Sequence, residues 1–226
     1  MPKRLYLLRH GQTDANILDT VQGRLPDLPL NSTGEKQAEL TAEALSEVNF
    51  NRIYMSPALR ARQTAQKIFE RHIPTALAET YPNFNEINFG DFEGRTFSKI
   101  EELYPDLLKT YREKPSQCVF PRGESMIEAY ERAGRTINTI IINHPHNESV
   151  LIVSHGGIIT LIFIYLFDLD MDKMFHAIKK HHNCSLSIID FESYAWNTPL
   201  SKPHIVCFND ISHLKEEHDK RLRNII

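Results

Sequence analysis

The chain has 226 residues, of which 41% are hydrophobic and 24% charged, and its formal net charge is -3. That composition is ordinary for a globular domain with a substantial core and excludes a disordered or fibrous chain. The charge supplies no global field for nucleic acid or an anionic membrane, so any anion site must be built locally.

Cys118, Cys184 and Cys207 are odd in number and form no CxxC pair, which argues against a disulfide framework and a zinc knuckle and points to a reducing, cytoplasmic compartment. Met1 to Arg4 run straight into an apolar stretch too short for a signal-peptide core, so no leader is expected. The longest apolar stretch, Gly156 to Phe167, is shorter than the roughly 20 residues that span a bilayer, and it reads as a buried helix.

Strand and helix signals alternate along the chain. A strand is expected at residues 4–9, followed by a Gly-, Pro- and Asp-rich loop from Gln22 to Asn31. Ser32 and Glu35 fit the S-x-x-E capping pattern, predicting a helix from there to Val48. Arg52 to Met55 reads as a short strand, and Ser56-Pro57 as the cap and first-turn proline of a helix reaching Arg71. A further strand is expected at Ala76 to Glu79.

Residues 81–123 break the alternation with Pro82, Gly90, Gly94, Pro105, Pro115 and Pro121. Short amphipathic helices are expected there, at Phe97 to Leu103 and Pro105 to Lys114. The stretch reads as an inserted helical cap within a single domain spanning 1–226, since long excursions in compact domains are often functional. A long helix from Glu124 to Asn143, a strand at Ser149 to Val153 and a helix from Gly157 to Phe167 follow. Two late strands are expected at Ser185 to Ile189 and His204 to Phe208, and the polar tail from His213 is expected to fray or form a terminal helix. The alternation predicts an α/β fold: a three-layer α/β/α sandwich with a mostly parallel central sheet.

Two of these strands end alike, in Arg9-His10-Gly11 and in Ser154-His155-Gly156-Gly157. Ligands of open parallel sheets bind beyond the carboxyl ends of the strands, so two imidazoles are expected to face one site with Arg9 beside them. A neutral imidazole is a competent nucleophile near pH 7, which makes His10 the candidate nucleophile. Arg9 offers a planar fork of donors suited to phosphate or carboxylate. Arg60 stands early in a helix, where the helix terminus already attracts anions, whereas Arg62 reads as a solvated residue. His155 can donate hydrogen bonds or hold positive charge, and Glu86 can work as a general acid or base. His181-His182, His144 and His146 lack metal-ligand spacing, and the pair in the His144-Pro145-His146 turn is expected to be solvated. No P-loop, GxGxxG or GxSxG motif is present.

The nonapeptide from Leu8 to Asn16 resembles the signature of the histidine phosphatase superfamily, the phosphoglycerate mutase-like family. Four further segments agree in family order: Gln22-Gly23 through Gly34, Ser56 through Ala65, Asn85 through Gly94, and Ser154 through Gly157. The resemblance implies a phosphohistidine on His10 within a positive pocket of Arg9, Arg60 and His155. It also implies substrate contacts from Gln22, Gly23 and Gly156, an Asn16 that holds the phosphate or orients His10, and Glu86 as the acid toward the leaving oxygen and then the base toward water or an acceptor hydroxyl.

No metal or cofactor is expected, and the partner is a small phosphorylated molecule. Oligomeric state is open, with a homodimer as the candidate assembly. Family mutases resemble longer chains between the acid loop and the second histidine. The shorter stretch here, with the Val21-to-Asn31 segment, favours a phosphatase, with a phosphoglycerate mutase as the alternative. Thr160 stands about where some phosphatase subfamilies carry arginine, which speaks against the cobalamin-pathway enzyme. An inactive binding module of the same fold is the remaining alternative, disfavoured because every motif position is filled. A second charged group on the substrate would meet Arg95, Lys99, Tyr111 or Arg122 in the excursion.

Overall fold

The computed structural model describes residues 3–72, 76–144, 148–191 and 203–215. Strand β1 (Lys3–Arg9) opens the chain, followed by the short helix α1 (Asp14–Ile17) and by α2 (Ser32–Ala44). Strand β2 (Phe50–Met55), helix α3 (Leu59–Phe69) and strand β3 (Leu77–Thr80) come next. The excursion carries α4 (Phe97–Leu103) and α5 (Pro105–Glu113). Then follow α6 (Met126–Asn143), β4 (Ser149–Ser154), α7 (Gly156–Leu166), the short α8 (Met174–Ala177), β5 (Leu186–Phe191) and β6 (His204–Asp210).

The sheet order is β3-β2-β4-β1-β5-β6. Strands β2, β3, β4 and β1 pair in parallel; β5 runs antiparallel to both β1 and β6. Only β5 therefore opposes the common direction, and the sheet is mostly parallel, as the alternation predicts. The central strands read as unbroken apolar runs because both faces are covered. Tyr6, Leu8, Leu151 and Val153 point into a core beneath α2 and α3. Leu5, Leu7, Val150 and Ile152 point the other way, into a larger core with α6 and α7. Helix α7 is apolar on every side and buried accordingly. Among the described residues, no helix is long and apolar enough to cross a membrane. Phe84, Ile87, Phe92, Ile100, Leu108 and Phe120 from the excursion join the larger core, so this segment packs onto the sheet domain and shares its interior.

Three local readings need correction. Asn31, not Ser32, caps α2, its side chain accepting from the Gly34 N–H at 2.9 Å; α2 also stops at Ala44, short of Val48. Helix α3 begins two residues later than its proline suggests, although Ser56 Oγ still accepts from the Ala58 N–H at 3.2 Å. His144 is not solvated: it is buried, with Nε2 2.9 Å from the Tyr54 hydroxyl and Nδ1 against the Glu148 carboxylate. Residues 212–214 form a 3-10 turn, and the rest of the tail lies outside the described residues.

Candidate functional site

Strands β1 and β4 lie side by side in parallel register, with Arg9 opposite Ser154. The next residues of each strand, His10 and His155, therefore emerge together at the carboxyl edge of the sheet. Their rings stand 5.1 Å apart between centroids, inclined at 60°. Register alone accounts for the pairing of two histidines separated by 144 intervening residues of sequence, as counted from their numbers.

Arg60, in the first turn of α3, ties the pair together. Its side chain is 1% exposed. Nε donates to His10 Nε2 at 3.2 Å, while Nη2 donates to the Gly23 carbonyl at 2.7 Å and to His155 Nδ1 at 3.0 Å. These partners assign both tautomers. His10 Nδ1 lies 2.7 Å from the Gly11 carbonyl and must carry the hydrogen, which leaves the Nε2 lone pair facing Arg60 and the pocket. His155 accepts at Nδ1, so its Nε2–H donates to Ser56 Oγ at 2.8 Å. Burial, followed by the charges of Arg60 and Arg9, pushes the His10 pKa well below its ordinary value. Burial, then Arg60, does the same to His155. Both rings are neutral at pH 7. Burial also lowers Arg60, to about 10, and lowers Arg9; Arg60 stays charged at neutral pH.

Arg9 donates from Nη1 to the His181 carbonyl at 2.5 Å. Three buried donors near the imidazoles have no protein partner: Arg9 Nε, Gln22 Nε2 and Arg60 Nη1. Arg60 Nη1 is 3.9 Å from the partly exposed Asp27 carboxylate. Arg9, Gln22 and Arg60 line one pocket of about 190 Å³ together with His10, Asn16, Gly23 and Glu86. Unpaired buried donors are costly, so their convergence marks a place built for acceptor oxygens.

Glu86 sits at the N-terminus of α7. Oε2 accepts from the Gly157 N–H at 3.2 Å, and Oε1 accepts from Ile158 N–H at 3.2 Å and Ile87 N–H at 3.0 Å. A Cβ at Gly157 would lie 2.6 Å from Glu86 Oε1, so glycine is required for this approach. The loop that carries Glu86 is pinned from behind. Arg132 donates to the Asn83 and Asn85 carbonyls at 2.6 and 3.0 Å and to Glu124 at 2.7 Å. Glu124 in turn accepts from Asn88 N–H at 2.8 Å. Gly23 holds a positive φ of 51°, and a Cβ there would collide with Glu93.

The residues that the resemblance assigns to the site gather at one sheet edge, with three refinements. His155 is fully buried and lines neither this pocket nor its neighbour, its two ring nitrogens engaged by Arg60 and Ser56. Gly156 lines a neighbouring chamber beside Arg9 rather than the small pocket. Asn16 faces the pocket with its Oδ1 already taken by Thr13 N–H at 3.0 Å and by Asn183 Nδ2 at 3.0 Å. Arg62 is exposed, as expected. Ser56, Asn183 and the His181 carbonyl escaped the sequence reading. Ser56 carried a signal, read only as a helix cap; Asn183 follows the last motif and carried none. Asn183 also holds the His10 carbonyl at 3.1 Å. Among the described residues, no group of three or more His, Cys, Asp or Glu is arranged to hold a metal ion.

The family model of the histidine phosphatase superfamily (branch 1) matches residues 5–201. The chain is 31% identical to the uncharacterized phosphatase PhoE of Bacillus subtilis, over 84% of this chain and 89% of that protein. It is 27% identical to phosphoglycerate mutase-like protein 4 of Arabidopsis thaliana, over 94% of this chain and 87% of that one. Among solved structures, a mycobacterial glucosyl-3-phosphoglycerate phosphatase superposes with a TM-score of 0.81 at 27% identity, covering 91% of this chain and 98% of that one.

Proposed function

This chain belongs to the histidine phosphatase superfamily, and on that premise we propose that its small pocket hydrolyses phosphomonoesters through a phosphohistidine on His10. The observation that carries this assignment is the Arg60 fork, which joins both imidazoles and leaves one buried donor free. His10 Nε2 attacks phosphorus, forming the N–P bond while the bond to the ester oxygen breaks. Arg9, Arg60 and Gln22 turn their unused donors to the phosphoryl oxygens, and the buried His155 holds Arg60 Nη2 through its Nδ1. Preorganised donors of this kind stabilise the charge that develops in transfer. Glu86 passes a proton to the leaving oxygen. In the second step Glu86 takes a proton from water, whose oxygen attacks phosphorus; the N–P bond breaks, inorganic phosphate forms, and His10 is regenerated.

Asn16 and Gly23 complete the pocket wall, and Gly156 lies beside the Arg9 guanidinium at the start of α7. Residues 81–123 act as a cap of one domain. The free thiols Cys118, Cys184 and Cys207 suit a reducing cytoplasm. A mutase must hold a second phosphate. Beyond the small pocket the wall offers Arg112, which pairs with Glu101 at 3.2 Å, and surface lysines, an arrangement that favours hydrolysis over mutase transfer.

The test is to quench the protein during turnover of phenyl phosphate and map the adduct. An acid-labile, base-stable phosphoryl group on His10, absent from a folded and inactive His10→Ala, is expected. Undiminished hydrolysis by that variant would refute the mechanism.

A further inference from the structure

The small pocket opens into a larger chamber of about 690 Å³. Arg9, Glu86, Phe89, Phe97 and Lys180 line both spaces, so the two are continuous. The smaller space suits a phosphoryl group; the larger falls in the range of sites that enclose a whole organic ligand.

We propose that the chamber seats the leaving group, and that this group is bulky and apolar, an aromatic or long-chain alcohol rather than a small charged one. The inference rests on the phosphatase reading of His10. Its first support is the wall itself. Tyr111 packs edge-on against Phe89, Phe120 and Phe175, at 6.2, 5.5 and 5.1 Å between ring centroids. Phe97, Met174 and Ile178 extend the apolar lining. Offset and edge-to-face aromatic arrangements of this kind accept a further ring well. Phe175 stays 45% exposed, so apolar surface is held open at the chamber rather than packed away.

The second support is the distribution of charge. Of the four residues expected to meet a second charged group, only Tyr111 reaches the chamber. Lys99 pairs with Glu102 at 2.7 Å, Arg122 pairs with Asp91, and Arg95 lines neither space. Burial, then the Glu86 charge, pushes the Tyr111 hydroxyl up, so it remains a neutral donor. Glu86 and Glu113 both face the chamber and oppose a carboxylate. Apart from Arg9, which serves the phosphoryl group, the arginine and lysines there are exposed: Arg112 is tied to Glu101, Lys180 lies 3.9 Å from Asp19, and Lys179 stands at the surface. Beyond Arg9, no buried arginine or lysine waits for a second anion among the described residues that line the chamber.

The experiment compares kcat/KM for 2-naphthyl phosphate, phenyl phosphate and 3-phosphoglycerate. The two aryl esters have leaving groups of similar basicity, so their ratio reads size. We expect about tenfold or more in favour of the naphthyl ester, the scale on which added apolar contact in a pocket discriminates, and 3-phosphoglycerate last. Phe175→Ala, in the chamber wall and outside the small pocket, should reduce that ratio, with a larger loss of kcat/KM for the naphthyl ester than for phenyl phosphate. Equal aryl rates, a preference for 3-phosphoglycerate, or equal losses on both aryl esters in Phe175→Ala would overturn the inference. Calorimetric binding of 2-naphthylmethylphosphonate against methylphosphonate reads the chamber without turnover. Tighter naphthyl binding in a protein that hydrolyses no ester would sink the phosphatase reading and spare the chamber; equal binding would sink the chamber alone.

Discussion

Replacing Arg60 by alanine separates catalysis from folding more sharply than any other change at this site. The guanidinium makes three hydrogen bonds, to His10 Nε2, the Gly23 carbonyl and His155 Nδ1, and keeps Nη1 for a ligand. Losing a preorganised donor of this kind costs about 10²–10³ in kcat. Arg60→Ala should fall at least that far with phenyl phosphate. Stability should change much less. The Gly23 carbonyl loses its partner, a penalty of about 1–3 kcal/mol. Against that, the variant no longer desolvates a charge whose pKa burial and the neighbouring Arg9 hold down, and water entering the open pocket can meet the carbonyl. The variant also has a pH signature. Arg60 is the second-largest cause, after burial, of the low pKa of both histidines. Without it both values rise toward 6.5, so the acid limb of kcat/KM, where His10 protonates, moves to higher pH. Steady-state kinetics between about pH 4 and 8, paired with urea unfolding, measure all three effects. A variant within about threefold of the parent, or an acid limb that stays put, would refute this account of Arg60.

Gly157→Ala should keep the fold, because alanine is the better helix former and the nearest clash, 2.6 Å from Glu86 Oε1, falls on the end of a flexible side chain. Turnover should drop nonetheless, and more for alkyl phosphates than for p-nitrophenyl phosphate, since alkoxide leaving groups need the displaced Glu86; equal losses would count against Glu86 as the acid. Acid should unfold the protein by charging histidines that are neutral when buried. Burial lowers His181 and His213 to about 4, so the stability they carry is complete above their unfolded pKa near 6.5 and is lost as pH falls below it. At pH 5 each has cost about 2 kcal/mol. His181 packs against Phe208 at 5.2 Å and Phe163 at 6.1 Å, so His181→Phe should fit and flatten the pH dependence of urea unfolding by that amount; an unchanged slope would contradict the assignment.

The sequence was most legible where one periodicity dominates. The Leu5–Leu8 and Val150–Val153 runs could be read as buried strands because both faces of the sheet are covered, and the strand ends then gave His10 and His155 directly. The parallel register that sets the rings 5.1 Å apart follows from the same two runs. Its place in the first helical turn makes Arg60 an anion candidate, but which way its side chain points is set by the fold, which buries it against both imidazoles. Ser32 looked like a cap because S-x-x-E fits it, yet Asn31 takes the role one residue earlier, where loop and helix meet. The wall of the larger chamber was the least legible part. Phe89, Tyr111 and Phe175 come from separate loops and helices, and no spacing rule joins them.

The charge balance of the pocket explains why these residue types occur together. Two arginines and two imidazoles are buried side by side, and four positive charges there would carry a prohibitive desolvation cost. Burial and the arginines resolve the conflict by keeping both imidazoles neutral. His10 is left with its Nε2 lone pair turned to Arg60 and the pocket, the state that the proposed attack on phosphorus requires. The remaining positive charge sits on Arg9 and Arg60, whose free Nε and Nη1 donors have nothing of opposite charge in hydrogen-bonding contact. An incoming phosphoryl dianion would satisfy those donors and offset that charge in one step, with Arg60 Nε released from His10 Nε2 as attack begins. The arrangement that leaves those donors unsatisfied is therefore the same one that the proposed attack by His10 draws on.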